Sequence, residues 1–275
     1  MKIKFLILFA ISFSFLSCEE IAPVITMNMD PIDPVEDQQK NVLVEEYTGV
    51  RCVQCPGGAA IIKALKQQYG KRLVPVAIHA GDFASPFPES NYVFISNDNN
   101  AFMGFVGSPL FYPAASVDRF LFDGQNGLIQ GSGDWAGSIA QRLDEELKVE
   151  VSLSNSYDSA SNTAEVSVSL NALSSLDYQD LILNVLLVEN DIVDPQLTED
   201  GTDFEYVHEH VLRGFFTPTT GDPVDALTIG SSLTRDYSLV LADDMNPDNI
   251  EIVAFLSRSG AEKEVFQANY KALEE

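Results

Sequence analysis

Two cysteines separated by two residues are the part of this sequence best suited to chemistry. Cys52 and Cys55 form a Cys-x-x-Cys motif that is followed at once by Pro56. Two intervening residues let both sulfur atoms meet across the first turn of a helix. The free N–H groups and the dipole at a helix N-terminus also favour a thiolate there. The motif therefore predicts reversible disulfide chemistry, with Cys52 as the attacking thiol and Cys55 as the group that closes the disulfide.

The residues around the motif predict the elements that would position it. Residues 42–44 are a short β-prone run, and residues 59–69 have apolar side chains at helical spacing. Gly70 is suited to end that helix, and residues 74–78 form a second apolar run of strand length. The order strand, Cys-x-x-Cys, helix, strand is a βαβ pattern, in which the motif is typical of thioredoxin-like redox domains.

Two later segments are assigned to the same domain. The spacing of apolar residues predicts a final helix over residues 134–148, with Asp134 as its N-cap. Residues 81–107 are rich in aromatic side chains. They predict a loop followed by a helix that packs over the sheet, with the lining of a ligand groove as the alternative.

The pattern changes to a period of two after residue 147. Residues 149–153 and 164–170 alternate between apolar and polar side chains, and residues 181–188 are almost continuously apolar. Together with later runs at 204–216, 233–241, 250–256 and 264–272, about seven strands indicate an immunoglobulin-like β-sandwich. The predicted domains are a thioredoxin-like α/β domain over residues 41–147 and this all-β domain over residues 148–275.

The composition excludes several classes of protein. The 275 residues include 16 Lys and Arg against 41 Asp and Glu, a net charge of −25, so a basic surface for nucleic acid is absent. Hydrophobic residues make up 45%, which is enough for two cores. The sequence contains no glycine-rich phosphate loop or nucleophile elbow, and we predict no cofactor.

The N-terminus has the features of an export signal. Lys2 and Lys4 precede an apolar stretch over residues 5–16 that is too short to span a bilayer. Ser17-Cys18 then resembles the site at which a bacterial signal peptide is removed and the cysteine is lipidated; ordinary cleavage with a free Cys18 is the alternative. Residues 18–40 predict an acidic linker that contains prolines. An exported chain folds where disulfides persist.

Metal binding is a weaker interpretation of other residues. His208 and His210 would share one face of a regular strand, but His79 is the remaining histidine, so a zinc site is poorly supported. The Asn- and Asp-rich runs at 97–100 and 243–246 lack the spacing of a calcium loop and are predicted to be solvated loops. We therefore predict no metal site.

Taken together, the sequence resembles the twenty-eight-kilodalton outer-membrane lipoprotein family of Bacteroidetes. The resemblance rests on the export signal with Cys18, on Glu-Tyr-Thr-Gly at residues 46–49 leading into the Cys-x-x-Cys motif, on residues 112–119, and on Tyr-Val-His-Glu-His-Val-Leu-Arg at residues 206–213. It implies a protein of the cell outer membrane that is anchored by a lipid on Cys18.

The likeness to thioredoxin domains also implies a cis-proline opposite the motif. Pro113 is our choice for it, with Pro109 as the alternative, and Pro113 joins Cys52 and Cys55 in the predicted catalytic site. Arg51 stands where thioredoxin itself has tryptophan. Two functions remain open: thiol–disulfide exchange on extracytoplasmic protein thiols, or a cell-surface binding or adhesion lipoprotein in which the Cys52–Cys55 disulfide is structural.

Overall fold

The computed structural model describes residues 39–274 of the chain. The predicted export signal over residues 1–17, the predicted lipidation site Cys18 and most of the predicted linker lie outside the described residues. The last linker residues belong to the folded part. Lys40 is buried, and its Nζ donates a hydrogen bond to Oδ2 of Asp118 at 2.6 Å.

The described residues contain three α-helices, three short 3-10 turns and sixteen strands. The helices are α1 (Cys55–Tyr69), α2 (Asn97–Val106) and α3 (Trp135–Leu143), and the 3-10 turns are Gly70–Arg72, Asp82–Ala84 and Pro247–Asn249. The strands are β1 (Val42–Thr48), β2 (Leu73–His79), β3 (Ala114–Val117), β4 (Ile129–Gly131), β5 (Val149–Asp158), β6 (Thr163–Ala172), β7 (Leu181–Glu189), β8 (Ile192–Val193), β9 (Gln196–Thr198), β10 (Gly201–Asp203), β11 (Val207–His208), β12 (Val211–Phe215), β13 (Asp222–Val224), β14 (Ser232–Val240), β15 (Ile250–Arg258) and β16 (Val265–Ala272).

The helix that follows the Cys-x-x-Cys motif is confirmed, and it begins four residues earlier than its apolar spacing predicts. Pro56 lies in the first turn, where its missing N–H costs no hydrogen bond, so α1 starts at Cys55. The helix ends as predicted, with the N–H of Gly70 bound to the carbonyl oxygen of Lys66. Cys52 therefore lies in the turn that leads into the helix.

The last predicted helix is shorter than expected. α3 ends at Leu143 instead of reaching residue 148, and Asp134 occupies the N-cap position without a capping bond from its side chain. Arg72 donates a hydrogen bond to the carbonyl oxygen of Leu143, which satisfies an acceptor at the helix end. The chain can then turn and enter β5.

One large sheet organises the described residues. Its strand order is β16-β15-β7-β12-β2-β1-β3-β4, and β13 also pairs with β7. β1 and β2 are parallel and are joined through α1, which confirms the βαβ unit. α1 and α3 cover one face of this part of the sheet, whereas α2 packs on the other.

Strands β14, β6 and β5 form a second sheet, which packs against the β7–β15 part of the large sheet as in a β-sandwich. The boundary expected at residue 147 does not separate two sheets. β2 from the first part pairs with β12 from the second, and residues 39–274 fall within one compact unit. The reason is that β7, β12, β15 and β16 continue the sheet that β1–β4 begin.

Three local expectations are resolved by these elements. The aromatic stretch contains the expected helix, α2, and its Phe102 is fully buried in the core. Residues 97–100 form the first turn of α2 and not a solvated loop, because Ser96 Oγ accepts a hydrogen bond from the N–H of Asn99 and caps the helix. The strand expected over residues 204–216 is broken at His210, whose φ is +54°.

Candidate functional site

The two cysteines of the motif form a disulfide. Cys55 is the first residue of α1, and its N–H is bonded to the carbonyl oxygen of Cys52 at 3.2 Å. The Cα atoms of Cys52 and Cys55 are 5.3 Å apart. The disulfide therefore links the two ends of the turn before α1, as the two-residue spacing of the cysteines predicts.

Both cysteines are covered by a segment from the second half of the chain. Cys52 is 4% exposed and Cys55 is 2% exposed. Nε2 of Gln196, in β9, donates to the carbonyl oxygen of Cys52 at 3.1 Å, and the N–H of Leu197 donates to that of Val50 at 2.8 Å. The β9–β10 hairpin therefore lies over the motif.

Arg51 holds a neighbouring loop in place. Its Nε and Nη2 donate to the carbonyl oxygens of Ser85 and Pro86 at 2.8 and 2.7 Å. Its guanidinium also stacks over the ring of Phe87 at 4.3 Å. Arg51 thus binds the segment after β2 to the motif.

Pro113 lies against the helix that carries the motif. The Tyr112–Pro113 peptide bond is cis, whereas the bond before the alternative, Pro109, is trans. Cβ and Cγ of Pro113 lie 2.8 and 2.9 Å from the point that a Cβ atom on Gly58 would occupy. Gly58 is one turn after Cys55, so the proline contacts the first turns of α1.

Glu46 is a site residue that the sequence reasoning did not identify. Its side chain is buried in β1, and Oε1 has no hydrogen-bond partner. The same Oε1 lies 2.7 Å from the point that a Cβ on Gly58 would occupy, beside Pro113. Burial raises the pKa of Glu46 to about 8, so the carboxyl group is mostly protonated at neutral pH.

A signal for Glu46 was present in the sequence. Residues 42–48 form a strand inside a βαβ unit, and such strands are covered on both faces. Because side chains alternate between the two faces of a strand, consecutive acids in such a strand cannot both face water. Glu45 is indeed buried as well, and it is paired with Arg119 at 2.6 Å.

A cavity of about 730 Å³ adjoins the disulfide, in the range of small-molecule sites. It lies between α1, the α1-facing side of β2 and residues 206–210, and we call it the β2 groove. Its lining includes Glu46, Cys55, Ala59, Ala77, His79, Tyr206, His208 and His210. The groove brings the second cysteine of the motif and the buried carboxyl group of Glu46 into one space.

The histidines are arranged differently from the regular strand that was expected. β11 ends at His208, and the ring centroids of His208 and His79 are 5.6 Å apart. His210 turns toward Glu251, with Nδ1 3.7 Å from a carboxylate oxygen. Burial lowers the pKa of His208 to about 4 and that of His79 well below its usual value. In the part of the chain that the structure describes, no three His, Cys, Asp or Glu side chains form a metal-binding group.

Fold and site together define a mostly β protein that carries a Cys-x-x-Cys disulfide at the helix start of a βαβ unit. A family model described as outer membrane protein Omp28 matches residues 111–275, which is more than half of the chain. The chain belongs to this family. The resemblance identified from the sequence is therefore confirmed, and the protein is located at the outer membrane. Among residues 39–274, no helix is long and apolar enough to cross a membrane.

Solved structures share the fold. HBP35 of Porphyromonas gingivalis is 20% identical, with a TM-score of 0.69 over 86% of this chain and 76% of that chain. A protein of Agrobacterium tumefaciens is 15% identical, with a TM-score of 0.54 over 87% of this chain and 96% of its own. Comparison with curated proteins gives no match. At these identities the likeness concerns the fold alone.

Proposed function

We propose that this outer-membrane protein is anchored by a lipid on Cys18 and exchanges disulfides with extracytoplasmic protein thiols. In this proposal residues 41–147 are a thioredoxin-like part, and the following residues are an immunoglobulin-like sandwich that shares their sheet. Cys52 and Cys55 are the redox pair, and Pro113, which packs against α1 at Gly58, belongs to the same proposed site. The observation that carries the proposal is Glu46.

Glu46 supplies a proton where the exchange needs one. A buried carboxyl group without a partner is costly to keep, so a purely structural role explains it poorly. Its carboxyl group lies against the first turns of α1 at Gly58, and it lines the same cavity as Cys55. A pKa near neutrality suits an acid or base that works at physiological pH.

The proposed exchange gives each of these groups one role. A substrate thiolate attacks Sγ of Cys52, the Cys52–Cys55 bond breaks, and Cys55 leaves as a thiolate that takes the proton of Glu46. A second thiolate of the same substrate then attacks the substrate sulfur that is bonded to Cys52. The substrate disulfide forms, and Cys52 is released as a thiolate. The substrate dithiol loses two electrons and the cysteine pair gains them. Because Cys52 is buried, the β9–β10 hairpin must move before a protein substrate reaches it.

Trapping the mixed disulfide tests this order of events. In a chain that carries Cys18→Ser, the further change Cys55→Ser should leave Cys52 able to form a lasting adduct with oxidised glutathione. The matched variant Cys52→Ser should form little adduct, because in this proposal Cys52 is the thiol that substrates attack and Cys55 only closes the disulfide. Intact mass spectrometry of the folded proteins counts the adducts. Equal labelling of both variants, or adducts only after unfolding, would contradict the proposal.

A second function is favoured by one observation. Both sulfur-bearing residues are almost fully buried, with the hairpin hydrogen-bonded to the motif. That arrangement also suits a binding or adhesion lipoprotein whose disulfide is structural. The trapping experiment separates the two, since a structural disulfide gives no adduct in the folded state.

A further inference from the structure

The β2 groove exists because one face of β2 has only partial cover. That face carries every second side chain of β2, namely Pro75, Ala77 and His79. Helix α1 covers it from the side of β1. On the other side the sheet continues with β12, and residues 206–210 provide the cover in place of a second helix. Small side chains at Ala59 and Ala77 leave the space between them open.

Three buried side-chain polar atoms on the lining of this groove have no hydrogen-bond partner: Oε1 of Glu46, Nδ1 of His79 and Nδ1 of His210. Nδ1 of His210 lies 3.7 Å from a carboxylate oxygen of Glu251, whereas Glu46 and His79, which are 4% and 2% exposed, have no such neighbour. Glu46 is in register with Ala77, two residues before His79 on the adjacent strand. Strand spacing and rise place the two Cα atoms about 8 Å apart on one face. Buried polar atoms normally have partners, so a bound ligand that bonds to Oε1 of Glu46 and Nδ1 of His79 would remove the cost of leaving them unpaired.

The deep wall of the groove is uncharged at neutral pH. Burial keeps Glu46 protonated by raising its pKa to about 8, and burial keeps His79 and His208 neutral by lowering their pKa values. The ammonium group of Lys66 is bound to the carbonyl oxygen of Leu73 and the hydroxyl of Tyr270. The lining also holds the charged side chains of Lys63, Lys66, Asp191 and Glu209, of which Lys63 and Asp191 are exposed. Beside Glu46 and His79 an ion would lose its hydration without gaining an opposite charge, so this part of the groove disfavours charged ligands.

We propose that the β2 groove binds a small, uncharged and partly apolar molecule that carries an amide or a similar pair of acceptor and donor groups. The acceptor of the ligand receives a hydrogen bond from the carboxyl O–H of Glu46. The amide of the ligand can donate to Nδ1 of His79 or accept from it, so it provides a partner for either tautomer of the ring. The alanines and Tyr206 contact the apolar part. The inference does not depend on thiol–disulfide exchange, because it concerns the oxidised protein.

The test uses benzamide as the probe, with benzoate and benzamidine as charged molecules of the same shape. Each is titrated at pH 6.5 into the oxidised full chain carrying Cys18→Ser, and amide chemical shifts give the dissociation constant. Ala59→Leu fills the groove from α1. Ala64→Leu, on the exposed side of the same helix, is the matched control.

Benzamide should bind with shifts at residues of the groove, and Ala59→Leu should weaken it by at least about tenfold, a change of about 1.4 kcal/mol. Ala64→Leu should leave the constant within about twofold, a change of about 0.4 kcal/mol. Both charged probes should bind more weakly than benzamide. If Ala59→Leu does not fold, Ala60→Leu takes its place, at a more exposed point of the same lining. Failure of benzamide to bind, equal binding of benzoate, or equal losses in both leucine variants would overturn the inference.

Discussion

Glu46 shows how one buried carboxyl group gives this site its acid–base character. Its Oε1 has no partner, and its main environment is the first turns of α1 and the ring of Pro113. Burial alone raises its pKa, without an opposing cation. The folded state therefore binds a proton at neutral pH that the unfolded chain, with an ordinary Glu pKa, does not.

The pH dependence of stability follows from that difference. Between pH 6.5 and 8 the folded state holds more protons at Glu46 than the unfolded state, so the contribution of Glu46 to the free energy of unfolding should fall as pH rises, by up to about 1.4 kcal/mol per unit. His79 and His208 contribute with the opposite sign near pH 6.5, because they are neutral when folded but about half protonated when unfolded, and their contribution fades as the pH rises above that value. Both histidines are present in wild type and in Glu46→Gln, so the substitution should remove only the fall that Glu46 causes. Urea unfolding at several pH values measures it, and identical slopes in both proteins would refute this role.

Lys66 also titrates in the upper part of this pH window and therefore affects the free energy of unfolding there. Burial lowers its pKa to about 8, so its contribution has the opposite sign: stability rises as pH increases from about 8 toward the ordinary lysine pKa. Lys66 is present in both proteins. The difference between wild type and Glu46→Gln therefore isolates the carboxyl group.

At the scale of the element, the glycine at position 58 lets α1 pack closely against Glu46 and Pro113. A Cβ atom there would lie 2.7–2.9 Å from Glu46 and Pro113, whereas nothing lies within 4 Å of the same point at Gly57. Alanine normally stabilises a helix interior relative to glycine by about 0.5–1 kcal/mol. The two adjacent glycines should therefore respond in opposite directions.

Gly57→Ala should stabilise the protein by about 0.5–1 kcal/mol. Gly58→Ala should destabilise it by about 1–3 kcal/mol, because the new methyl group overpacks against Pro113 and the carboxyl group. Denaturant midpoints at constant slope give both values. A stabilising Gly58→Ala would mean that Pro113 and Glu46 do not press on the helix as described.

Much of the first part was predictable because its signals are local. Apolar spacing over residues 59–69 and Gly70 predicted α1, and the thioredoxin likeness predicted the cis-proline at Pro113. The alternation of side chains in β1 indicates that Glu46 is buried, but the neighbours of Glu46 and His79, among them Pro113 and residues 206–210, come from segments that are distant in sequence. The break at His210 was missed because its left-handed φ is fixed by the turn into β12, whose pairing with β2 and β7 lies far along the chain.

The whole molecule joins its two parts more closely than their sequence patterns indicated. β2 lies between β1 and β12, so the strand that forms the floor of the groove is shared by both parts. Arg142 of α3 bonds Asp118 at 3.0 Å and Glu264 before β16 at 2.9 Å, which links them again. The β9–β10 hairpin, which covers the disulfide, thus comes from a part that is firmly joined to the part that carries Cys52 and Cys55.

The reduction potential of the Cys52–Cys55 pair tests the central claim most directly. The full chain carrying Cys18→Ser is equilibrated in glutathione buffers at pH 7, and alkylated thiols are counted by mass spectrometry. If the pair is a redox site served by Glu46, the potential should lie between about −120 and −270 mV, the range of thiol–disulfide oxidoreductases. A value below about −300 mV, or a disulfide that is reduced only when the protein unfolds, would contradict exchange and favour a structural disulfide in a binding protein.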